Sequence, residues 1–353
     1  MTADTLDVAF VIPLSGPAGI FGPSCEACGR LATDEINADG GVLGRELRLS
    51  VVDGGESPAR VAAGVDGLVT AGSVQAVAGW HISAVRQQIA PRTSGRVPYV
   101  YTPLYEGGER TPGVFLAGET PARQVLPAMR WMREHLDVRS WCIVGDDYAW
   151  PRVSAAVVRR YAAQNRIDIR DEMFVTLGTE DFSAVLTRVE RSEADGVLMF
   201  LVGSDAVAFN RAFTARGLEA CCIRFSPLME ENMLLATGAG STHGLYSSAG
   251  FFESLVTADS LDFGRRYNRR FGVTAPTLNS LGESCYEGLT LLARLAEGAA
   301  SLELPRMCDS ANTVAYEGPR GVVRMRDNHL QQRVYLARAD ELEFSVLAEL
   351  ADP

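Results

Sequence analysis

Short apolar runs alternate with amphipathic stretches through the first third of this chain. Residues 8–13 form an apolar run that predicts a buried strand, and residues 14–17 (LSGP) end it with turn formers. Between about residues 25 and 37 the apolar positions recur at helical spacing, and residues 39–41 (DGG) end this helix. The same reasoning predicts strands at 47–52, 74–78 and 97–101 and helices at 59–71 and 83–90.

The alternation starts again after an apolar run at residues 114–117. It predicts helices near 122–135, 151–165, 182–191 and 206–216, and strands at 141–144, 173–175, 196–202 and 222–225. Strict alternation of strand and helix is typical of a parallel sheet that is covered on both faces. We therefore expect two such sheets in tandem. The remaining patterns predict helices at 260–271 and 280–296 and strands at 322–326 and 333–338.

The predicted fold is α/β, with two doubly wound parallel-sheet lobes joined by a hinge and a ligand cleft between them. A length of 353 residues with 47% hydrophobic content is enough for two cores. We expect the two late helices to return to the first lobe. The predicted division is 1–118 plus about 250–325 for lobe 1, and 119–249 plus about 326–353 for lobe 2. Folds of this kind place ligands at the carboxyl ends of their strands.

The charge of the chain argues against some partners. A net charge of −11 disfavours nucleic acid and anionic membranes, because phosphate binding needs clustered basic residues. No apolar stretch approaches the roughly 18–20 residues of a membrane span, so membrane insertion is not expected. Residues 1–7 lack the features of a secretion signal. The sequence as written predicts a cytoplasmic protein, or a periplasmic protein or extracellular lipoprotein if a leader has been removed.

The seven cysteines show no spacing typical of a disulfide framework, which favours a reducing compartment. Cys25 and Cys28 form a CxxC, but no second CxxC or histidine pair completes a metal site. We expect both to be buried thiols on a helix, with their redox state open. No metal and no cofactor is predicted.

Motifs for catalysis are also missing from the sequence. The sequence has four histidines, and their spacing is not that of metal ligands. It has no GxSxG motif for a nucleophile with a base and no GxxxxGK phosphate loop. The chain is therefore interpreted as a non-enzymatic receptor. A hydrolase without a recognisable motif is the weaker alternative.

Several motifs carry a resemblance to a known superfamily. Residues 12–16 (IPLSG) and 34–45 (DEINADGGVLGR) resemble the type 1 periplasmic binding proteins that bind amino acids, amides or urea. Residues 101–107 (YTPLYEG), 145–152 (GDDYAWPR) and 327–329 (DNH) are similar to the amide sensors of bacterial amidase operons, the AmiC type. The resemblance covers nearly the whole chain and implies a receptor that closes on a short amide or urea-like ligand.

The resemblance also implies ligand contacts. In the first lobe it indicates Ser83 at a helix start and Thr102 after a strand, with His81 and Tyr101 beside them; His81 stands where the amide sensor has a tyrosine. A serine at a helix N-terminus brings a hydroxyl and backbone N–H groups to one point, which suits a carbonyl or carboxylate oxygen. The alternative is that Ser83 is only an N-cap and Thr102 only a turn residue.

In the second lobe the resemblance indicates Tyr148 and Trp150 as aromatic residues that enclose the ligand, although the family's second aromatic is usually a tyrosine. The turn that begins at Phe225 and Ser226 is a further candidate wall. Binders of α-amino acids have an acid in this region for the ligand ammonium, and Glu230 or Glu231 could supply it. Both acids also suit a helix start, which we favour, and this preference points to a neutral ligand.

Two partners are compatible with a receptor that closes on its ligand. A cytosolic form would signal to an antiterminator-type regulator, as the resemblance implies, whereas an exported form would deliver its ligand to an ABC permease. The alternative to the amide interpretation is a branched-chain or other amino-acid-binding protein of an ABC transporter. A homodimer is compatible with either function.

Overall fold

The computed structural model describes residues 5–351 and divides the chain into two compact α/β units. The first unit draws on the segments Met1–Leu104, Gly108–Gly118 and Val256–Gln332, and the second on Tyr105–Gly107, Glu119–Leu255 and Arg333–Pro353. The sequence analysis predicts that the chain returns to the second lobe near residue 326. In the structure the chain returns at Arg333, because the strands that precede this residue extend the sheet of the first unit.

The elements of the first unit's initial segments alternate as the apolar pattern predicted. Helix α3 begins at Ser83, four residues after the end of a buried strand. Five strands and three helices make up this part: β1 Thr5–Ile12, α1 Gly22–Ala38, β2 Glu46–Asp53, α2 Pro58–Thr70, β3 Ala76–Gly79, α3 Ser83–Thr93, β4 Tyr99–Tyr101 and β5 Val114–Leu116.

The second unit repeats the alternation. Its long segment contains α4 Pro121–Leu136, β6 Ser140–Asp146, α5 Ala149–Asn165, β7 Asp168–Val175, α6 Ser183–Ser192, β8 Gly196–Phe200, α7 Ser204–Ala215, β9 Ile223–Ser226, α8 Glu231–Thr237 and β10 Leu245–Ala249. The chain then adds α9 Ala258–Phe271, α10 Ser280–Ala299, α11 Leu304–Ser310, β11 Ala315–Gly318, β12 Gly321–Arg326 and β13 His329–Gln331 to the first unit, and β14 Tyr335–Asp340 and β15 Glu343–Glu349 to the second.

Each unit contains one mixed sheet. The strand order is β11-β12-β13-β5-β4-β3-β1-β2 in the first unit and β15-β14-β10-β9-β8-β6-β7 in the second. The central strands run parallel, and β11, β12, β14 and β15 add antiparallel pairs at one side of each sheet. The predicted fold class of two α/β lobes is therefore confirmed. The late strands pair antiparallel because tight turns join them, which a parallel crossover does not allow.

Helix α10 forms the centre of the first unit and packs closely against α1. A Cβ atom on Gly282 would lie 2.0 Å from the Ser24 hydroxyl, so only glycine permits this approach of the two helices. Cys25 and Cys28 lie on α1 and are buried free thiols, as predicted. Within residues 5–351 no helix has the length and apolar character needed to cross a membrane.

A buried ion pair joins α10 to the turn between β11 and β12. The Arg320 guanidinium donates to the Glu283 carboxylate and, at 2.7 Å, to the Gln332 side-chain oxygen. The side chains of Glu283 and Arg320 are 0% and 1% exposed. Removing one partner from such a pair leaves a buried charge without compensation.

We expect Arg320→Met to lower the free energy of unfolding by about 3–5 kcal/mol, because the buried Glu283 carboxylate loses its counter-charge. Adding Glu283→Gln to this variant should recover much of the loss. The control is Arg30→Met, which removes an exposed pair with Glu26 and should cost no more than about 1 kcal/mol. Urea unfolding measures all three variants. Equal losses in Arg320→Met and Arg30→Met would contradict the argument.

Candidate ligand-binding site

The parallel strands of the first unit bring four predicted site residues to one edge of its sheet. Strands β2, β1, β3, β4 and β5 run in the same direction, so their carboxyl ends meet there. His81 and Ser83 follow β3, Tyr101 ends β4, and Thr102 comes directly after it. All four side chains are buried, with exposures between 0% and 2%.

Asp53 holds the loops that leave this edge after β1 and β2. Its carboxylate accepts hydrogen bonds from the backbone N–H groups of Leu14 and Gly55, each at 2.8 Å. Burial favours a higher pKa for Asp53, but hydrogen bonds from Ser15, Leu14 and Gly55 outweigh burial and lower the pKa. An ionised Asp53 thus fixes the backbone beside the candidate site.

His81 is a neutral structural group in this structure. Its Nδ1 lies 3.3 Å from the Val11 carbonyl oxygen, which can only accept, so Nδ1 carries the proton. Its Nε2 lies 2.6 Å from the Tyr99 hydroxyl and accepts from it. Burial lowers the pKa of His81 to about 3, so the ring stays neutral near pH 7. Both ring nitrogens therefore have partners inside the first unit.

Tyr101 and Thr102 also bond within the first unit. The Tyr101 hydroxyl donates to the His81 carbonyl oxygen at 2.7 Å. The Thr102 hydroxyl accepts from the Ser284 hydroxyl at 3.3 Å and lies 3.9 Å from the Cys285 sulfur, both on α10. The side chain of Thr102 thus faces the helix behind the sheet. Its role as a ligand contact stays a prediction.

Ser83 differs from these residues because it begins a helix whose N-terminus has no side-chain cap. Ile82 occupies the N-cap position of α3, so the interpretation of Ser83 as only an N-cap is wrong. Arg86, one turn later, donates to the Ser83 hydroxyl oxygen at 3.3 Å. This cation, together with the helix dipole, favours an anionic oxygen near the start of α3.

A buried ion pair holds Arg86 in place. Its Nε donates to the Glu109 carboxylate at 3.0 Å, and its guanidinium lies 5.1 Å from the centre of the Tyr101 ring. Burial favours a higher pKa for Glu109, but hydrogen bonds from Thr111 and Arg86 lower it. The sequence analysis gave Arg86 no role. Its position three residues after Ser83 on one helix was the available signal.

In the second unit, the predicted aromatic residues follow β6 at the carboxyl edge of the sheet. Trp150 is 3% exposed and packs edge-on against Phe200, with ring centres 5.4 Å apart. Tyr148 is half-buried and lies 6.3 Å from the Trp150 ring. Of the two, Tyr148 has the side chain that reaches solvent. Helix α5 begins at Ala149, two residues before the predicted start.

Phe225 and Ser226 end strand β9, which β8 separates from β6, and both side chains are buried. Phe225 is fully buried and packs edge-on against Trp141 at 6.3 Å. The Ser226 hydroxyl accepts from the Leu228 N–H at 3.2 Å and so stabilises the turn that follows. Gln124 of α4 donates to the Pro227 carbonyl at 2.7 Å from the other side of this turn. These contacts fix the loop after β9.

Glu230 and Glu231 follow this turn, and both are buried. Glu231 begins α8, and its Oε1 accepts from the Glu253 N–H at 2.8 Å. Burial raises the pKa of Glu231 to about 8, with Glu253 adding to the rise. Its other oxygen, Oε2, has no hydrogen-bond partner among the described residues. The structure thus agrees with a helix-start position for Glu231 and leaves one carboxyl oxygen for a further donor.

Comparison with known proteins identifies the family to which the chain belongs. A family model for periplasmic binding proteins matches residues 5–343, which is nearly the whole chain. A Brucella melitensis relative named Leu/Ile/Val-binding protein homolog 6 is 24% identical, and the match covers 96% of this chain and 89% of the relative.

Solved structures support the same fold. The branched-chain amino acid transporter substrate-binding protein LivJ from Streptococcus pneumoniae, in complex with isoleucine, superposes with a TM-score of 0.85 at 20% identity, covering 99% of this chain and 100% of that one. A solute-binding protein of an ABC transporter from R. palustris, in complex with benzoate, gives 0.86 at 15% identity, covering 99% and 97%. The names and titles of these proteins refer to Leu/Ile/Val, isoleucine and benzoate, and none of them mentions an amide or urea.

The inward-facing Thr102 hydroxyl gives a test. We expect Thr102→Val to lower the free energy of unfolding by about 1 kcal/mol, because the Ser284 hydroxyl loses a buried partner. The Kd for a bound solute should change by no more than a factor of about two. This is well below a tenfold change, which corresponds to about 1.4 kcal/mol. Thermal unfolding and calorimetric titration measure the two effects. Lost affinity with unchanged stability would make Thr102 a ligand contact.

Proposed function

The chain belongs to the periplasmic binding protein family, and we propose that it is the solute-binding receptor of an ABC transporter for a small carboxylate with an apolar body. A branched-chain amino acid is the first candidate. The relative is named a Leu/Ile/Val-binding protein homolog, and the two solved structures described above hold isoleucine and benzoate. Both ligands are carboxylates with an apolar body.

The observation that carries this proposal is the start of α3. Ser83 stands at the first position of a helix with no acidic residue in its first turn and no capping side chain. Arg86 donates to the Ser83 oxygen, which makes the hydroxyl a stronger hydrogen-bond donor. A hydroxyl, helix N–H groups and a nearby guanidinium favour an anionic oxygen over a neutral one.

An amino-acid ligand also needs an acidic partner for its ammonium group. Glu231 is the candidate in the second unit, because its Oε2 has no hydrogen-bond partner among the described residues. A raised pKa of about 8 means that the empty receptor holds a proton here near pH 7. An ammonium ion next to Glu231 would favour the ionised carboxylate, so ligand binding would release this proton.

The amide interpretation is the second candidate. It rests on the resemblance of residues 101–107, 145–152 and 327–329 to the amide sensors of amidase operons. A neutral amide needs no ionised partner, and its carbonyl oxygen would also accept from Ser83. An amide sensor implies a cytoplasmic location and a regulator as partner. A transporter receptor implies export and a permease as partner.

Four compounds that share one side chain separate these candidates. Leucine carries both charged groups, 4-methylpentanoate lacks the ammonium, leucinamide lacks the carboxylate, and 4-methylpentanamide lacks both charges. Thermal shift detects each of them, since a ligand at 100 times its Kd adds about 2.7 kcal/mol of stability. Isoleucine, valine, benzoate, acetamide and urea extend the series. Calorimetric titration then gives Kd for each compound that shifts the unfolding temperature.

We expect leucine or a branched-chain relative to bind, with both amides at least about 100-fold weaker because they lose a charge-assisted hydrogen bond. If 4-methylpentanoate or benzoate binds as tightly as leucine, the proposal of a carboxylate ligand stands. Glu231 is then not needed as a partner for an ammonium group. Binding of the neutral amides alone would overturn the carboxylate proposal. It would support the amide sensor.

Ser83→Ala should weaken binding of the carboxylate by about 1.5–3 kcal/mol, on the order of ten- to a hundredfold in Kd, because a hydrogen bond to a charged oxygen is lost. Ser94→Ala, at the other end of α3, is the matched control, since the Ser94 hydroxyl donates to the Pro112 carbonyl at 3.3 Å in an exposed hydrogen bond. Calorimetric titration with the tightest compound gives both Kd values. Equal Kd in the two variants would remove Ser83 from the site.

A further inference from the structure

Asp146 is a buried carboxyl group with one oxygen that lacks a donor. It ends β6, and its side chain is 0% exposed. Its Oδ2 accepts from the Val202 N–H at 2.8 Å, just beyond the end of β8. Its Oδ1 has no donor among the described residues. An ionised carboxylate without a partner for one buried oxygen would be costly.

A second buried acid, Asp205 in the first turn of α7, stands against Asp146. Its carboxylate accepts from the backbone N–H groups of Gly178 at 2.6 Å and Thr179 at 3.1 Å, and from the Ser204 hydroxyl at 3.1 Å. Burial raises the pKa of Asp205, and the hydrogen bonds from Gly178, Thr179 and Ser204 favour its ionised form. The two carboxyl groups lie close enough to share a hydrogen bond. One of them must then carry a proton, because two adjacent buried carboxylates repel each other.

We propose that Asp146 and Asp205 share one proton, with Asp146 as the donor, and that this acid pair positions the loop that carries Tyr148 and leads into Trp150 at the start of α5. The inference goes beyond the proposed function, and it holds whichever solute the receptor binds. Neither acid is a ligand contact in this proposal. They act through the backbone of the loops.

The pair links three consecutive loops at the carboxyl edge of the second unit's sheet. Asp146 opens the loop after β6 and bonds the segment after β8 through Val202. Asp205 bonds the loop after β7 at residues 178 and 179. The Tyr148 N–H donates to the Asp146 carbonyl at 3.0 Å, so the backbone that leads into Trp150 starts from this anchor. Loss of the shared proton would push these loops apart.

The electrostatic surroundings support this assignment. Burial, with Asp205 as a further cause, raises the pKa of Asp146 to about 9. On neighbouring β7, Val175 is the strand partner of Asp146, and residues 200–202 at the end of β8 are apolar. Asp147, the next charged residue along the chain, is half exposed and pairs with Arg152 at 2.8 Å. Asp205 is thus the charged side chain that acts on Asp146 in the described part of the chain.

A bound cation is the other way to hold two acids together. Backbone N–H groups already point at both carboxyl groups, and these would repel a cation. In the described residues, no set of three or more His, Cys, Asp or Glu side chains is arranged for a metal. A shared proton agrees better with this donor set.

Infrared spectroscopy tests the proton directly. At pH 7 we expect the wild-type protein to show the C=O stretch of a buried protonated carboxyl that is missing from Asp146→Asn. In this variant the amide oxygen can accept from Val202 and the amide N–H can donate to Asp205, so the fold should be kept. Asp147→Asn is the matched control and should leave the band unchanged. The same band in wild type and Asp146→Asn would overturn the shared proton, as would stabilisation of wild type alone by calcium or magnesium.

The pH profile tests positioning. An unfolded aspartate loses its proton near pH ~4, whereas the pKa of Asp146 in the folded protein is about 9. The folded state therefore binds the extra proton between these values, and stability falls as pH rises through this range. We expect the unfolding temperature of Asp146→Asn to exceed that of wild type by an amount that grows toward pH 9, with Asp147→Asn following wild type.

Fluorotryptophan NMR reports on the loop itself, with Trp150→Phe assigning the signal and the other tryptophans as references. The Trp150 signal should shift with pH toward 9 in wild type and in Asp147→Asn, and stay constant in Asp146→Asn. A shift of the same size in Asp146→Asn would show that the pair does not position the loop. None of these measurements needs the solute, so they stand or fall independently of the ligand series.

Discussion

The loops at the carboxyl ends of the parallel strands depend on carboxyl groups that accept hydrogen bonds from backbone N–H groups. Where parallel strands end, the sheet no longer pairs these groups, and a buried N–H without a partner is costly. Asp53 satisfies this need after β1 and β2, and Asp146 with Asp205 does so after β6, β7 and β8. The buried carboxyl of Glu119 bonds the Gly250 N–H at 2.7 Å after β10. Of the candidate site residues, Tyr148 follows Asp146 on one of these loops, and its N–H donates to the Asp146 carbonyl oxygen.

The apolar pattern predicted the parallel strands and their helices because each is a long segment with one clear period. It did not predict α11, β10, β11, β13 or β15, and only the acids at 230 and 231 indicated the start of α8. The sequence of β10, LYSSA, is half polar, yet Ser247 and Ser248 are fully buried because their hydroxyls bond the Met229 and Gln124 carbonyls. Edge strand β15 alternates apolar and charged residues only weakly. Such elements owe their structure to neighbours that are distant in sequence.

For the candidate site, sequence reasoning could predict the edge of the sheet but not the direction of each side chain. Ser83 and Thr102 both follow strand ends, as predicted, but Thr102 faces α10 while Ser83 begins a helix. The His81 ring bonds the Val11 carbonyl oxygen and the Tyr99 hydroxyl, and the Tyr101 hydroxyl donates to the His81 carbonyl oxygen. A residue after a parallel strand can face a ligand, a helix or its own loop with equal ease. Only the packing of the folded chain decides among these.

The basic residues add a further constraint on how this chain responds to pH. The sequence contains no lysine, so all 33 positions counted as lysine or arginine are arginine, and a guanidinium keeps its charge throughout the neutral pH range. The Arg86 cation beside Ser83 is therefore fixed, and burial keeps His81 neutral with a pKa of about 3. Asp146, at the end of β6, and Glu231, at the start of α8, have pKa values of about 9 and 8, and both belong to the second unit. The charges around Ser83 thus vary little with pH near neutrality, whereas the second unit changes charge.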